Sequence, residues 1–313
     1  MPKRDPIKTL DFYVGKALDF FETAGDYKLE LPPCERPLVI GSQSGYWAGV
    51  QMFRSAKRAF AHAKEVNAQY VMDTERDSLD GVVLVSASGS RQMVPLAEYA
   101  LKCGLPVYLI VCEPDSSVTR KFKKRRKFTE ILVHAPKEPP TINTCTYGRM
   151  LQGVTHEDPR LIRQFLSEMP KPAGGYRRAS ALTIILSDRM EAVGEMVGWK
   201  INGEKIGRQA GGIAKYLTNL MHGGFVVDAP GELYVALGLK AKEQAALAKV
   251  LRAVPSRRKL TVDFDRKTNG PLAVMLAGYS IVGRFQRKFP AFQKNIPRYK
   301  RRTARWKWLS PLQ

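Results

Sequence analysis

The stretch Val82-Val83-Leu84-Val85-Ser86-Ala87-Ser88-Gly89-Ser90-Arg91-Gln92 decides the fold. Its four consecutive apolar residues predict a strand buried on both faces, the pattern of a parallel sheet rather than of a half-exposed antiparallel one. The run then breaks into small, hydroxyl-bearing residues around Gly89, and a helix is predicted from about Gln92 to Cys103. Such a step places the loop at the carboxyl end of a strand and the amino end of a helix. Small residues let the backbone approach an anion, hydroxyls donate hydrogen bonds, and the helix end supplies unpaired N–H groups and the positive end of a dipole.

The same step occurs earlier, where Leu38-Val39-Ile40 leads through Gly41-Ser42-Gln43-Ser44-Gly45 into a helix predicted from about Tyr46 to Ala63. Val107 to Val111 and Ile131-Leu132-Val133 continue the alternation. Buried strands separated by helices predict a doubly wound α/β domain. Neither loop has the GxGxxG or GK[ST] spacing, which weakens a nucleotide reading. For either loop alone, serines and glycines that merely cap a helix are the plain alternative. Two such loops on adjacent strand ends favour a binding crevice.

Ahead of this region, Leu10, Tyr13, Val14, Ala17, Leu18 and Phe21 recur at helical spacing and predict an amphipathic helix over Ile7 to Ala24. After it, the breaker-rich Met169 to Arg178 reads as a linker. A second alternation follows. Strands are predicted at Ala181 to Leu186, Leu233 to Leu237 and Lys259 to Phe264, and helices near Met190 to Ile201, Gly207 to Met221, Ala241 to Ala253 and Pro271 to Phe285. The expected organisation is an N-terminal helical extension (1–34), a first α/β domain (35–168), a linker (169–178), a second α/β domain (179–290) and a basic tail (291–313). In each domain a mostly parallel, doubly wound sheet is flanked by helices.

With 313 residues, 44% of them hydrophobic and 26% charged, the chain has the composition of an ordinary globular protein large enough for two cores. No window of about 18 apolar residues is present, and Pro2-Lys3-Arg4-Asp5 stands where a signal peptide needs apolar residues. Cys34, Cys103, Cys112 and Cys145 form no CxxC pair, so neither a zinc site nor a disulfide framework is expected. These features predict a cytoplasmic protein with no metal, no cofactor and no membrane partner. The net charge of +22 is unevenly spread: from Leu251 to Gln313, 16 basic residues face two acidic ones, and Arg120 to Lys127 is a second basic run. Such clusters attract polyanions or phosphorylated substrates, and they also occur as solvated faces.

The paired loops, Gly41-Ser-Gln-Ser-Gly-Tyr46 and Val85-Ser86-Ala87-Ser88-Gly89-Ser90, in their strand and helix setting resemble the SIS (sugar isomerase) domain. In the second half, Asn219-Leu-Met-His222-Gly-Gly-Phe-Val-Val-Asp228 is similar to the His-Gly-Pro segment of the isomerase half of glucosamine-6-phosphate synthase. Trp199-Lys-Ile-Asn-Gly-Glu204-Lys-Ile206 looks like the helix that carries that family's catalytic glutamate, and Asn295-Ile-Pro-Arg-Tyr-Lys300-Arg-Arg302 resembles its closing segment. The likeness spans about residues 35 to 305 and extends to archaeal-type phosphoglucose/phosphomannose isomerases.

The resemblance implies two tandem SIS domains and an α/β fold that binds a sugar phosphate such as fructose 6-phosphate or glucose 6-phosphate. Ser86, Ala87, Ser88, Gly89 and Ser90 would hold the phosphate, with Arg91 either adding a charge or pointing outward. Ser44 would contact the sugar, Gly45 stands where the family commonly has Ser, and Glu138 matches a glutamate that closes the first domain's part of the site. His222 would open the pyranose ring, since a group titrating near neutrality both gives and takes a proton. Glu204 would move a proton between C1 and C2 through a cis-enediolate. Lys300 or Arg302 would stand near those carbons, and an Arg there favours electrostatic stabilisation over Schiff-base chemistry. A homodimer is implied. The expected function is thus an aldose–ketose isomerase acting on sugar phosphates. One alternative is a non-catalytic phosphosugar sensor; another is a nucleic-acid-binding protein using Arg120 to Lys127 and the aromatic-interleaved tail, which is not favoured.

Overall fold

In this computed structural model residues 8–54, 61–64, 67–139, 142–172, 176, 179–202, 212–219, 231–264 and 270–287 are described. The first half runs α1 (Leu10–Ala24), β1 (Pro37–Gly41), α2 (Gln43–Met52), β2 (Ala61–Lys64), α3 (Ala68–Glu75), β3 (Gly81–Ser86), α4 (Met93–Lys102), β4 (Val107–Val111), α5 (Ser117–Phe122), β5 (Phe128–Leu132), α6 (Thr144–Thr155) and α7 (Pro159–Glu168). The second runs β6 (Ala181–Leu186), α8 (Glu191–Asn202), β7 (Gly212–Tyr216), one helical turn at Leu217–Asn219, β8 (Glu232–Leu237), α9 (Ala241–Val250), β9 (Lys259–Val262) and α10 (Pro271–Gln286).

Two parallel sheets result, ordered β2-β1-β3-β4-β5 and β7-β6-β8-β9. The apolar runs behave as parallel-sheet physics requires: β1 and β3 are buried along their whole length. Registers such as Ile40 opposite Leu84 and Leu84 opposite Leu109 align successive strands. One core continues from Val39, Val83 and Ile110 to Ile184, Val235 and Val197. Between them runs α10, apolar around its circumference and buried along nearly all of its length, as an interior helix must be. The helix α1 packs on α10 and α6, and its Leu10, Val14 and Phe21 join the same core. Leu10 N donates to Gln286 Oε1 at 2.7 Å.

Two predicted helices differ. The helix predicted to Ala63 stops at Met52, and Ala61–Lys64 is instead an edge strand paired with β1. Alanine and lysine favour helix intrinsically, but a ladder with β1 outweighs that preference of tenths of a kcal/mol per residue. The helix predicted over Gly207 to Met221 contains β7, which pairs with β6; the residues on either side, 203–211 and 220–221, lie outside the described ones. The pair Gly211-Gly212 breaks the helical pattern at that strand's start. Two further differences are small: the strand expected at Ile131 to Val133 begins at Phe128, and the first helix begins at Leu10 rather than Ile7.

Candidate functional site

After β1 the chain crosses through α2 to β2 on one side, and β3 then lies on the other side of β1. Connections that leave neighbouring strands in opposite directions open a crevice at the strands' carboxyl ends. There a cavity of about 420 Å³ is lined by Ser42, Gln43 and Ser44 from the β1–α2 loop, and by Ser86, Ala87, Ser88, Ser90 and Gln92 from the β3–α4 loop. Asn143 and Tyr147 of the α6 region and Trp199 and Lys200 of α8 complete the lining among the described residues. Residues from both halves of the chain therefore meet on one space.

The β3–α4 loop is held by its own side chains. Gly89 N donates to Ser86 Oγ at 3.1 Å, and Cys112 N donates to Ala87 O at 3.1 Å, tying the loop to the end of β4. Gly89 has φ +52°, and a Cβ there would lie 2.4 Å from Ser116 Oγ, so the turn requires glycine. Ser116 caps α5 by accepting from Thr119 N at 3.1 Å and is itself buried, so it cannot step aside cheaply. Ser86 is buried, Ser90 half-buried and Ser88 exposed, which grades the hydroxyls from the floor to the mouth. On the opposite loop Gln43 has φ +50°, and across the cavity Asn143 has φ +46°. Non-glycine residues in this region store strain and cluster where function requires them.

Gly45 does not line the cavity. A Cβ at this position would lie 2.8 Å from Val85 O and 3.1 Å from Tyr147 Oη, so its absence lets α2 seat against β3 and α6. Arg91 is exposed beyond Ser90 and is not among the lining residues. Glu138 also stands behind the cavity rather than in its wall: its Oε2 accepts from Cys145 N at 2.9 Å and Thr146 N at 3.2 Å, pairing N–H groups of the first turn of α6. Burial raises its pKa, opposed by those amides and by the charge of Lys200. Burial likewise pushes the nearby Cys112 thiol up to about 12, so it is protonated near neutrality. Glu204, His222, Lys300 and Arg302 lie outside the described residues.

Lys200 was not anticipated as a site residue. It is 2% exposed, lines the cavity, donates from Nζ to Ile142 O at 2.7 Å and stands 5.6 Å from the centre of the Tyr279 ring. Its signal was present in the sequence: Val193, Met196 and Val197 form the buried stripe of α8, and helical spacing continues that stripe onto position 200. A lysine on an apolar stripe needs partners or a polar space to face, because burying its charge unaided is costly. Trp199, 39% exposed, brings a ring to the same cavity. The described lining thus combines hydroxyls, carboxamides, the N-terminal region of α4 and one ammonium, an arrangement fitted to an anionic, hydroxyl-bearing ligand. Among the described residues no group of three or more His, Cys, Asp or Glu is placed to hold a metal ion, and no helix is long and apolar enough to cross a membrane.

The architecture is that of paired parallel sheets with a crevice at the switch point of the first, and solved structures share it. The chain is similar to tagatose-6-phosphate ketose/aldose isomerase from Escherichia coli, with a TM-score of 0.59 and 12% identity over 90% of this chain and 88% of that one. It is similar to glucosamine-6-phosphate deaminase from Thermotoga maritima, with a TM-score of 0.60 and 11% identity over 89% and 92% of the two chains. A third is the C-terminal domain of glucosamine-fructose-6-phosphate aminotransferase from Francisella tularensis, with a TM-score of 0.55 and 11% identity over 91% and 94%. At these identities the likeness is one of fold. No protein-family model matches the chain. A search of curated proteins finds no match either.

Proposed function

We propose that the chain binds a sugar phosphate in the cavity between the β1–α2 and β3–α4 loops and interconverts its aldose and ketose forms. The observation that carries this reading is the cavity itself, whose lining joins the serines of two strand-end loops to the buried Lys200. In this reading Ser86, Ser88 and Ser90 with the loop amides hold the phosphate. Ser44 and the carboxamides of Gln43 and Asn143 meet the sugar hydroxyls, and Trp199 covers an apolar face of the sugar. The names of the solved structures, all acting on phosphorylated hexose derivatives, support the ligand class.

The chemical step is assigned to Glu204 and His222. His222 moves the proton that opens the ring. Glu204 removes the proton from C2 of the open-chain aldose; the electron pair forms the C1–C2 double bond, and the C1 carbonyl oxygen becomes the enediolate oxygen. The O2 proton passes to O1, and return of the proton to C1 as the C2 carbonyl forms gives the ketose. Arg302, or Lys300 beside it, stabilises the enediolate charge. The N-terminal extension, two tandem SIS domains, linker and basic tail, a homodimer, and a cytoplasmic location belong to the same proposal.

Purified protein in deuterated water is given fructose 6-phosphate and then glucose 6-phosphate, and followed by NMR. Isomer formation with deuterium at C2, lost in Glu204→Gln and His222→Ala, is expected. Thermal stabilisation by the same compounds that depends on Ser86 and Ser88, without product or exchange, would replace the isomerase reading with a phosphosugar sensor.

A further inference from the structure

The basic run Arg120 to Lys127 plays no part in that site. It spans the end of α5 and the turn into β5, and so lies at the amino end of that strand, whereas the sugar-phosphate cavity lies at the carboxyl ends of β1 and β3. In a parallel sheet these are opposite poles, separated by the roughly 15 Å length of a five-residue strand. Here the turn faces the end of α4 across a groove of about 330 Å³. Lys102 lies on the α4 wall, and Lys121, Arg125, Arg126 and Lys127 on the other.

Glu98, the acidic residue in this groove, is paired with Lys121 at 2.8 Å, which leaves a net excess of four positive charges. Lys127 Nζ donates to Gly104 O at 2.6 Å, fixing the wall while leaving N–H bonds of the ammonium available. Just outside, Lys123 lies 4.0 Å from Asp115, and the exposed Arg120 and Lys124 add to the field. The groove floor is apolar, with Leu101 and the buried Phe122, whose ring packs on Phe128.

We infer that this groove is a second binding site, for the phosphodiester backbone of a nucleic acid. Its cations line both walls of a concave channel, which suits a rod of regularly spaced phosphates. A membrane surface would instead meet a flat or convex patch with exposed apolar residues to insert. The groove's aromatic residue is buried in the core and offers bases no stacking face, so the site reads backbone charge and not sequence. This assignment is independent of the sugar-phosphate reading.

The test is fluorescence anisotropy of the full chain with labelled single-stranded RNA and duplex DNA of about 20 nucleotides or base pairs, each in two unrelated sequences. Binding that ignores sequence is expected, and with about four phosphates neutralised the affinity falls roughly a hundredfold between about 50 and 200 mM salt. The RNA and DNA arms tell which nucleic acid is preferred. Arg125→Glu/Arg126→Glu should abolish most binding while leaving fructose 6-phosphate affinity unchanged. Arg252→Glu/Arg257→Glu, the same charge change on exposed residues elsewhere, should retain it. Equal losses in both variants, or binding that survives the groove variant, would assign the affinity to overall charge or another surface and overturn the site. No binding of either nucleic acid at low salt, or capture of phosphatidylserine vesicles in preference to both, would overturn it as well.

Discussion

At the carboxyl ends of β1 and β3 the chain leaves hydroxyls facing a cavity; at the corresponding ends of β6 and β8 it turns similar groups onto one another. Ser187, directly after β6, is 1% exposed and donates from Oγ to Glu243 Oε1 at 2.6 Å. The other oxygen of Glu243 accepts from Lys240 N at 2.6 Å. Arg189 Nη2 donates to Gly238 O at 3.2 Å, bridging the two strand ends. Both sheets have the same switch topology, yet at the second, Ser187 and Glu243 bond each other and Arg189 bonds a strand-end carbonyl. Topology therefore supplies two comparable strand-end positions, and side-chain chemistry sets them apart.

The largest expected effect tests why the first crevice exists at all. Gly45→Ser adds a side chain whose Cβ would lie 2.8 Å from Val85 O, against backbone that cannot rotate away. Separation of α2 from β3 should cost about 1–3 kcal/mol of unfolding free energy, read by chemical denaturation, with weaker sugar-phosphate binding as a consequence. A variant as stable as the parent would mean that α2 is not locked to the sheet at this point.

Next comes the charge that sets the two crevices apart. Lys200→Met keeps the length and apolar stem of the side chain while removing the cavity's ammonium, and should weaken fructose 6-phosphate binding by about 10- to 150-fold, as expected for loss of a charge-assisted hydrogen bond. Calorimetric titration gives the ratio. Unchanged affinity would restrict Lys200 to its bond with Ile142 O and its place over Tyr279.

Ser187→Ala probes the other side of the comparison. It strands one oxygen of Glu243 and should lower stability by about 1 kcal/mol without altering sugar-phosphate affinity. A loss of affinity there would join the second crevice to the site.

Much of this comparison was legible in the sequence. The apolar runs at 82–85, 107–111 and 181–186 have the lengths and flanks of buried strands, and the serines after the first of these announce a polar strand end. What escaped were features whose cause is distant in the chain. Ala61–Lys64 is a strand only because β1 offers a partner, and Gly45 is explained by Val85 O and Tyr147 Oη, 40 and 102 residues away. Lys200 was visible as a misfit on an apolar helical stripe, but that it shares a cavity lining with the serine loops depends on the packing of α8 against α2. Glu138 enters the expected site through the resemblance alone, and its bonds from the Cys145 and Thr146 amides depend on how the chain turns into α6.

That last residue gives the smallest effect and a sign that can be worked out. Burial raises the pKa of Glu138 above its ordinary value of 4.5, while the Cys145 and Thr146 amides and Lys200 oppose the rise. The folded state therefore holds the proton more tightly than the unfolded chain does. The stability this contributes is complete below the ordinary carboxylate value and is lost as pH rises through the raised one. Glu138→Gln keeps an acceptor for α6 and cannot ionise, so its stability relative to the parent should increase across that interval and then level off. Melting temperatures of both proteins from about pH 4 to 8 follow the difference. A difference that instead shrinks as pH rises would mean that the ionised carboxylate is held by the amides and Lys200 more strongly than burial disfavours it, making the charge itself part of what closes the cavity floor.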